Sequence, residues 1–142
     1  MTILEKREAC TRLAWACLHR PYRWTGDDPG EGFDCSGFIV YLLQSIGLLP
    51  WKGDWSAQGL FDEFRQHRLS PANAQEGCLI FFGKSETEIS HVEYCLSDEL
   101  MIGASGGGST TTTEAEAWRQ NAYLRIKPIR IHHDTVAAVN PF

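Results

Sequence analysis

The order of sequence patterns along the chain predicts an α+β fold in which N-terminal helices pack on an antiparallel β-sheet of about five strands. In the first half, apolar residues recur at three- and four-residue steps, in segments that end near glycine or proline. In the second half, short apolar runs alternate with turn residues, as in an antiparallel meander. The length of 142 residues suits one core, so we assign residues 1–142 to a single domain.

The first two predicted helices span residues 3–19 and 35–46. The first carries an apolar stripe and must end before Pro21, because proline lacks the N–H that a helix interior needs. The second begins after Asp34, a favoured N-cap residue, and stops at Gly47. We expect these two helices to pack against each other.

Shorter helices and the strands complete the predicted fold. Ser56 or Asp54 should cap a third helix that runs to about Gln66. Thr113 and Glu116 have the spacing of a capping box and should open a short helix before the last strand. The strand-like runs cover residues 77–82, 90–96, 100–104 and 123–130.

Composition excludes several classes of protein. An apolar content of 43% and an aromatic content of 11% fit a folded domain. The net charge of −5 disfavours nucleic acid as a partner, because phosphate binding needs a basic face. The chain has neither a membrane-spanning run nor the apolar core of a signal peptide, so we expect no membrane partner and synthesis in the cytoplasm. If the protein acts outside, a route other than general secretion should carry it there.

The five cysteines do not form a disulfide or zinc pattern. Their number is odd and they lack paired CxxC spacing, which argues against a disulfide framework and a structural zinc site. Four of them are expected to pack in the core: Cys10, Cys17, Cys78 and Cys95.

Cys35 is the candidate nucleophile. It directly follows the N-cap residue Asp34, where unpaired backbone N–H groups and the helix dipole favour an anion. The thiolate is the nucleophilic form of cysteine, so this position suits catalysis. Ser36 and Gly37 are small, and they let a substrate carbonyl approach backbone N–H groups that would stabilise its oxyanion. Core packing of Cys35 as a small hydrophobe is the alternative.

His91 is the best candidate for the base that a nucleophilic cysteine needs. It lies near the start of a predicted strand, where a rigid backbone could aim the imidazole at a helix N-terminus. A solvent-exposed or capping histidine is the alternative. A zinc hydrolase built on Cys35, His91 and a late histidine lacks short-range ligand spacing and is disfavoured. The weaker candidates are His19, His67, His132 and His133.

The loop between the first two helices carries two aromatic residues close to Cys35. Tyr22 and Trp24 either line a cleft or cover the edge of the core, and the sequence does not separate these readings.

Taken together, these motifs resemble the NlpC-type cell-wall peptidases. The order and spacing agree from about residue 9 to residue 130. The resemblance is carried by residues 21–24 (PYRW), 32–38 (GFDCSGF), 77–82 (GCLIFF) and 90–92 (SHV). Residues 104–109 (ASGGGS) and 120–123 (QNAY) are most similar to bacteriophage-encoded members.

The resemblance implies a papain-like fold and hydrolysis of peptidoglycan stem peptides, at the bond between D-glutamate and a diamino acid such as meso-diaminopimelate. It implies Cys35 as nucleophile, His91 as base and Tyr22 beside the thiol, with no cofactor or metal. A phage or prophage origin would make tail components partners and would place the protein in the virion or at the cell envelope. The alternatives are a fold-retaining tail-assembly or cell-wall-binding protein, an amidase or acyltransferase, and a delivered peptidoglycan-degrading toxin.

The chain departs from the family pattern at the group that orients the base. Related sequences place a second histidine or another polar residue on the next strand, and the matching position here is Gly103. An orienting group fixes the imidazole tautomer through a hydrogen bond. We rank a backbone carbonyl or bound water first, Ser105 second and Glu93 third, because Glu93 lies on the same strand as His91.

Overall fold

The computed structural model describes residues 1–53 and 55–142 and confirms the α+β class. Asp54, one of the two predicted caps, lies outside the described residues, while Ser56 caps its helix by accepting the Gly59 N–H at 3.0 Å. The helices are α1 (Ile3–Ala16), α2 (Cys35–Ser45), α3 (Ala57–Phe64) and α4 (Glu114–Gln120).

Helix ends follow local signals. α1 starts at the N-cap Thr2, which accepts the Glu5 N–H at 3.1 Å, and it ends three residues before the predicted end because His19 adopts a left-handed backbone with φ 70°. α4 starts at the predicted cap Thr113, whose hydroxyl accepts the Glu116 N–H at 3.1 Å. The predicted contact between α1 and α2 is present.

The main sheet has six antiparallel strands where about five were expected, in the order β3-β8-β4-β5-β6-β7. A separate two-stranded hairpin joins β1 to β2 just before α2. The unpredicted strands of the main sheet are β3, which has two residues, and β8, a short apolar run after an exposed loop; the hairpin strands β1 and β2 were not predicted either. The strands are β1 (Asp27–Asp28), β2 (Gly32–Phe33), β3 (Arg68–Leu69), β4 (Leu79–Gly83), β5 (Ile89–Cys95), β6 (Leu100–Ser105), β7 (Tyr123–Pro128) and β8 (Thr135–Val139).

The sheet separates two apolar clusters. The helices bury one face in the main core, which includes Val92 and Tyr94 of β5. Because side chains alternate along a strand, His91 and Glu93 belong to the other face. The smaller cluster on that face contains Cys78, Ile80, Phe82, Cys95, Met101 and Ala138.

Two sequence expectations are tested directly by burial. The four cysteines assigned to the core are all buried, whereas Cys35 is partly exposed. In the described part of the chain, none of the helices has the length and apolar character required to span a membrane.

Candidate active site

The site begins at the first turn of α2, whose predicted cap is confirmed. Asp34 has extended backbone angles, and its Oδ1 accepts the Gly37 N–H at 2.7 Å. Ser36 Oγ donates to the same oxygen at 3.4 Å. Cys35 is therefore the first helical residue, next to backbone N–H groups that the helix itself does not use. This position lets an anion at the thiol interact with the positive end of the helix dipole.

The loop before α2 lies directly on this first turn. The Gly26 carbonyl accepts the Asp34 N–H at 3.0 Å. A Cβ placed on Gly37 would lie only 1.9 Å from that carbonyl oxygen. The absence of a side chain at Gly37 therefore lets the loop close over the helix start and fixes the loop relative to Cys35.

Tyr22 in this loop both covers the edge of the core and lies near Cys35, so it combines the two roles that the sequence left open. Its side chain is only 7% exposed and packs in the main core. Burial first, and then the charges of Cys35 and Asp34, raise the pKa of the Tyr22 phenol to about 12. The phenol therefore lies close to both groups and stays protonated at neutral pH, as a hydrogen-bond donor must. Trp24 is 45% exposed and lies on the surface.

His91 contacts Cys35, as expected of a base paired with a nucleophile. Burial alone would lower the pKa of His91, but hydrogen bonds to Cys35 and Glu93 and the charges of both groups raise that pKa to about 9. Imidazolium is therefore the favoured form at neutral pH. The second face of the sheet supports the ring through Phe82, whose ring centroid lies 5.6 Å from that of His91.

The group that contacts the other side of the imidazole is Glu93, so the side chain ranked third from the sequence is the one that makes the contact. Glu93 Oε2 lies 2.8 Å from His91 Nε2, which leaves Nδ1 for the thiol. The expected glancing contact becomes a hydrogen bond because Gly103 carries no side chain, and the Glu93 side chain packs over it. Within the described residues, Ser105 makes no hydrogen bond to His91 and instead ends β6 opposite Tyr123.

A groove of about 510 Å³ opens beside His91 on the second face of the sheet. Its lining includes His91 and Glu93 but not Cys35, so it reaches the imidazole from the side away from the thiol. The charged and titratable side chains that complete the lining come from β7 and the following loop: Lys127, Arg130, His132 and Asp134.

The described residues contain no ligand set for the zinc site that was considered as an alternative. No group of three His, Cys, Asp or Glu side chains there is arranged to hold a metal ion. The remaining histidines, His19, His67, His132 and His133, are all exposed.

Helices packed on an antiparallel sheet, with a thiol at the start of α2 beside a histidine of β5, form a papain-like α+β fold. The chain belongs to the NlpC/P60 family, whose sequence model matches residues 19–127.

Curated relatives agree with this assignment. The chain is 29% identical over 117 residues to "Probable peptidoglycan endopeptidase LytE" of Bacillus subtilis, covering 80% of this chain and 32% of LytE. It is 31% identical over 119 residues to "Peptidoglycan endopeptidase RipB" of Mycobacterium tuberculosis, covering 74% of this chain and 46% of RipB. The chain thus spans less than half the length of either protein.

Solved structures agree with the fold. The solved structure of RipB from Mycobacterium tuberculosis has a TM-score of 0.68 at 26% identity, and the match covers 96% of this chain and 64% of the chain in that structure. RipD of Mycobacterium tuberculosis, described as a non-catalytic NlpC/p60 domain protein adapted to peptidoglycan binding, has a TM-score of 0.67 at 20% identity. That match covers 94% of this chain and 95% of RipD. The fold is therefore compatible with both catalytic and non-catalytic proteins, and the side chains at the site must decide between them.

Proposed function

We propose that the protein is a cysteine endopeptidase that hydrolyses stem peptides of bacterial peptidoglycan. Family membership and the names of LytE and RipB support the substrate class. The observation that carries the proposal is the contact of Cys35 with His91 at the start of α2. A structural cysteine would need neither the helix N-terminus nor an imidazole partner.

The proposed reaction has two stages: a thioester forms on Cys35, and water then hydrolyses it. The Cys35 thiol proton resides on His91 as the imidazolium, and the Cys35 thiolate attacks the scissile carbonyl. Backbone N–H groups at the start of α2 and the Tyr22 hydroxyl are placed to stabilise the oxyanion. The C–N bond then breaks as the imidazolium protonates the leaving amine, and a thioester remains. Water, deprotonated by His91, attacks the thioester, and departure of the Cys35 thiolate restores the thiolate–imidazolium pair.

Catalysis is favoured over a purely binding role because both members of the pair are present and in contact. The fold alone would not support that conclusion, since RipD is described as non-catalytic. The departure at Gly103 raised the tail-assembly or cell-wall-binding alternative, and Glu93 removes that support by contacting the imidazole instead.

The scissile bond and the delivery route rest on the family resemblance. We propose cleavage between D-glutamate and a diamino acid, and action at the cell envelope, where peptidoglycan lies. We also propose a phage or prophage origin, because residues 104–109 and 120–123 resemble bacteriophage-encoded members, and this origin would make tail components the partners. Neighbouring genes would distinguish it from a delivered toxin, which would use the same chemistry.

Digestion of purified peptidoglycan followed by mass analysis of the fragments tests the proposal. The protein should release fragments with new termini at D-glutamate and the diamino acid, and Cys35→Ala should release none. Cys10→Ala is a matched control, because this cysteine is buried in the main core beside Tyr94 and takes no part in the site. Intact peptidoglycan, or equal digestion by Cys35→Ala, would contradict the proposed function. Cleavage of an amide outside the stem peptide would favour the amidase alternative.

A further inference from the structure

Glu93 is a buried carboxylate whose position needs an explanation. Its side chain has no exposed surface, although it lies on the face of the sheet away from the main core. Burying a charged carboxylate is costly unless donors or opposite charges compensate. One compensating partner is His91 Nε2, at 2.8 Å from Glu93 Oε2.

The second compensating partner is Lys127. Its Nζ lies 2.6 Å from the same oxygen, Glu93 Oε2. Lys127 belongs to β7 and pairs with Met101 of β6, so its side chain reaches across one intervening strand to β5. The Lys127 side chain is 34% exposed and lines the groove, which places it between the solvent and the fully buried carboxylate.

Gly103 provides the space for the Glu93 side chain. A Cβ at this position would lie 2.6 Å from Glu93 Cγ, 2.7 Å from its Cδ and 2.9 Å from Oε1. Contacts this short do not occur between real side chains, and the obstacle is a carboxylate already fixed by two partners. A side chain on β6 at position 103 would therefore force the Glu93 carboxylate out of the position in which His91 and Lys127 contact it.

We propose that Glu93 and Lys127 form the positioning unit for His91, and that Gly103 must remain without a side chain to accommodate it. The inference rests on the proposed function in naming His91 as the base. Glu93 accepts the Nε2–H and fixes the tautomer, so that Nδ1 faces the Cys35 thiol. Lys127 holds the carboxylate in place and supplies the opposite charge. Glu93 and Lys127 are positioning residues, since they act on the reaction through His91.

The remaining oxygen of the carboxylate argues against a role in stability alone. Glu93 Oε1 is buried, and it has no hydrogen-bond partner among the described residues. A buried acceptor without a partner costs free energy, and such groups often mark functional sites.

The first test measures how the reactivity of Cys35, as part of the Cys35–His91 pair, depends on pH without any substrate. The rate of Cys35 alkylation by iodoacetamide is followed against pH for the wild type, Glu93→Gln and Lys127→Met. Matched controls are Glu88→Gln and Lys84→Met, which break an ion pair that is exposed. Without the carboxylate the imidazolium is less stable, so the alkylation midpoint of Glu93→Gln should move up by about one pH unit or more. NMR titration of His91 should show the opposite movement. The controls should not change.

Other charges near His91 must stay constant for this comparison. Cys35 and Glu93 contact the ring, Lys127 acts through Glu93, and three further groups line the same groove: Arg130, His132 and Asp134. None of these is altered in Glu93→Gln except Glu93 itself. The alkylation measurement should be repeated in a His132→Gln background, so that any contribution of this exposed histidine is removed.

The second test measures hydrolysis. Glu93→Gln should lower kcat by about a hundredfold with little change in KM, as expected when a base loses the group that fixes its tautomer. Lys127→Met should lower kcat by about tenfold, since the carboxylate keeps its contact with His91 but loses one charged partner. Lys127→Arg should restore part of the rate, which a loss of packing alone would not predict.

The third test exploits the exclusion between positions 93 and 103. Gly103→Glu should be poorly active because two side chains compete for one space, and Glu93→Gly should be poorly active because the carboxylate is lost. The double variant, with the carboxylate supplied from β6, should exceed both single variants. Rates in the double variant equal to the product of the single effects would contradict the exclusion.

The outcomes separate this inference from the proposed function. If peptidoglycan is not cleaved but the alkylation midpoint moves in Glu93→Gln, the substrate is wrong and the positioning unit stands. If peptidoglycan is cleaved and Glu93→Gln keeps both its rate and its alkylation profile within twofold, the positioning unit is refuted. Should Glu93→Gln fail to fold, unchanged profiles in the partly exposed Lys127→Met would refute it equally.

Discussion

Replacing Gly37 with alanine should destabilise the protein and displace the loop that carries Tyr22. A Cβ at this third helical position of α2 would lie 1.9 Å from the Gly26 carbonyl oxygen and 2.8 Å from Asp34 Oδ1. The carbonyl cannot retreat freely, because it accepts the Asp34 N–H at 3.0 Å. The loop must therefore move away from the start of the helix.

The size of the effect follows from three contributions. Relief of the overlap needs a movement of about 1.5 Å, and overpacking of this kind costs roughly 1–3 kcal/mol. Loss of the backbone hydrogen bond adds about 1 kcal/mol, and the better helix propensity of alanine returns about 1 kcal/mol. A net loss of about 2 kcal/mol corresponds to a Tm roughly 8 °C lower for a domain of this size.

Gly59→Ala is a closely matched control. Gly59 is also the third residue of its helix, α3, and its N–H is also capped, by Ser56 Oγ at 3.0 Å. A Cβ there would meet Ser56 Oγ at 3.4 Å and Trp55 at 3.7 Å, which are ordinary contacts. This variant should keep its Tm or gain up to about 1 kcal/mol of stability.

Thermal denaturation followed by circular dichroism measures both variants, and iodoacetamide labelling of Cys35 reports the site. Gly37→Ala should melt well below Gly59→Ala and should label at an altered rate. If the two variants melt within a degree or two of each other and Cys35 labels normally in both, the loop does not depend on a bare backbone at Gly37, and the reasoning fails.

Three further predictions concern single side chains. Tyr22→Phe should lower turnover but leave the Tm nearly unchanged, because one hydroxyl is lost without creating a cavity; an unfolded variant in thermal denaturation would show a structural tyrosine instead. Tyr94→Phe should keep normal turnover but lose about 1–2 kcal/mol of folding free energy in chemical denaturation, because its buried hydroxyl forms a hydrogen bond with Thr11 Oγ1 at 2.9 Å, away from the site. A loss of turnover at full stability would contradict that separation. Folding raises the pKa of His91 from 6.5 to about 9, so the wild type should have on the order of 3 kcal/mol of stability below pH 6.5 that is lost as the pH rises to 9. In urea denaturation across that pH range, His91→Gln should lack this dependence. Equal pH dependence in both proteins would count against the raised pKa.

The parts of the fold that the sequence predicted are those fixed by local rules. The Asp34 and Thr113 caps act within three residues, so their hydrogen bonds could be predicted from spacing. The strands β4 to β7 were bounded by recognisable turn residues. β8 was missed because its short run of small apolar residues follows an exposed loop and becomes a strand only by pairing with β4 and β3.

The contact between Glu93 and the His91 imidazole was ranked too low because it depends on contacts between strands. Spacing along β5 indicated that Glu93 would make only a glancing contact with His91. The sequence does not reveal that Gly103 lies beneath the Glu93 side chain, or that Lys127 reaches the carboxylate from two strands away. A glycine where related sequences carry a polar residue was the available signal, and it marked space for a neighbouring side chain.

Competitive labelling of the native protein with iodoacetamide near pH 6 tests the pairing of Cys35 with His91 most directly. Mass spectrometry should find Cys35 modified faster than a free small-molecule thiol in the same solution, with the four buried cysteines nearly unmodified. In a folded His91→Ala variant, the Cys35 rate should fall to or below that of the free thiol, because the imidazolium that stabilises the thiolate is gone. Labelling of Cys35 at the same rate with and without His91, or no faster than the free thiol in the wild type, would contradict the assignment of these two residues as nucleophile and base.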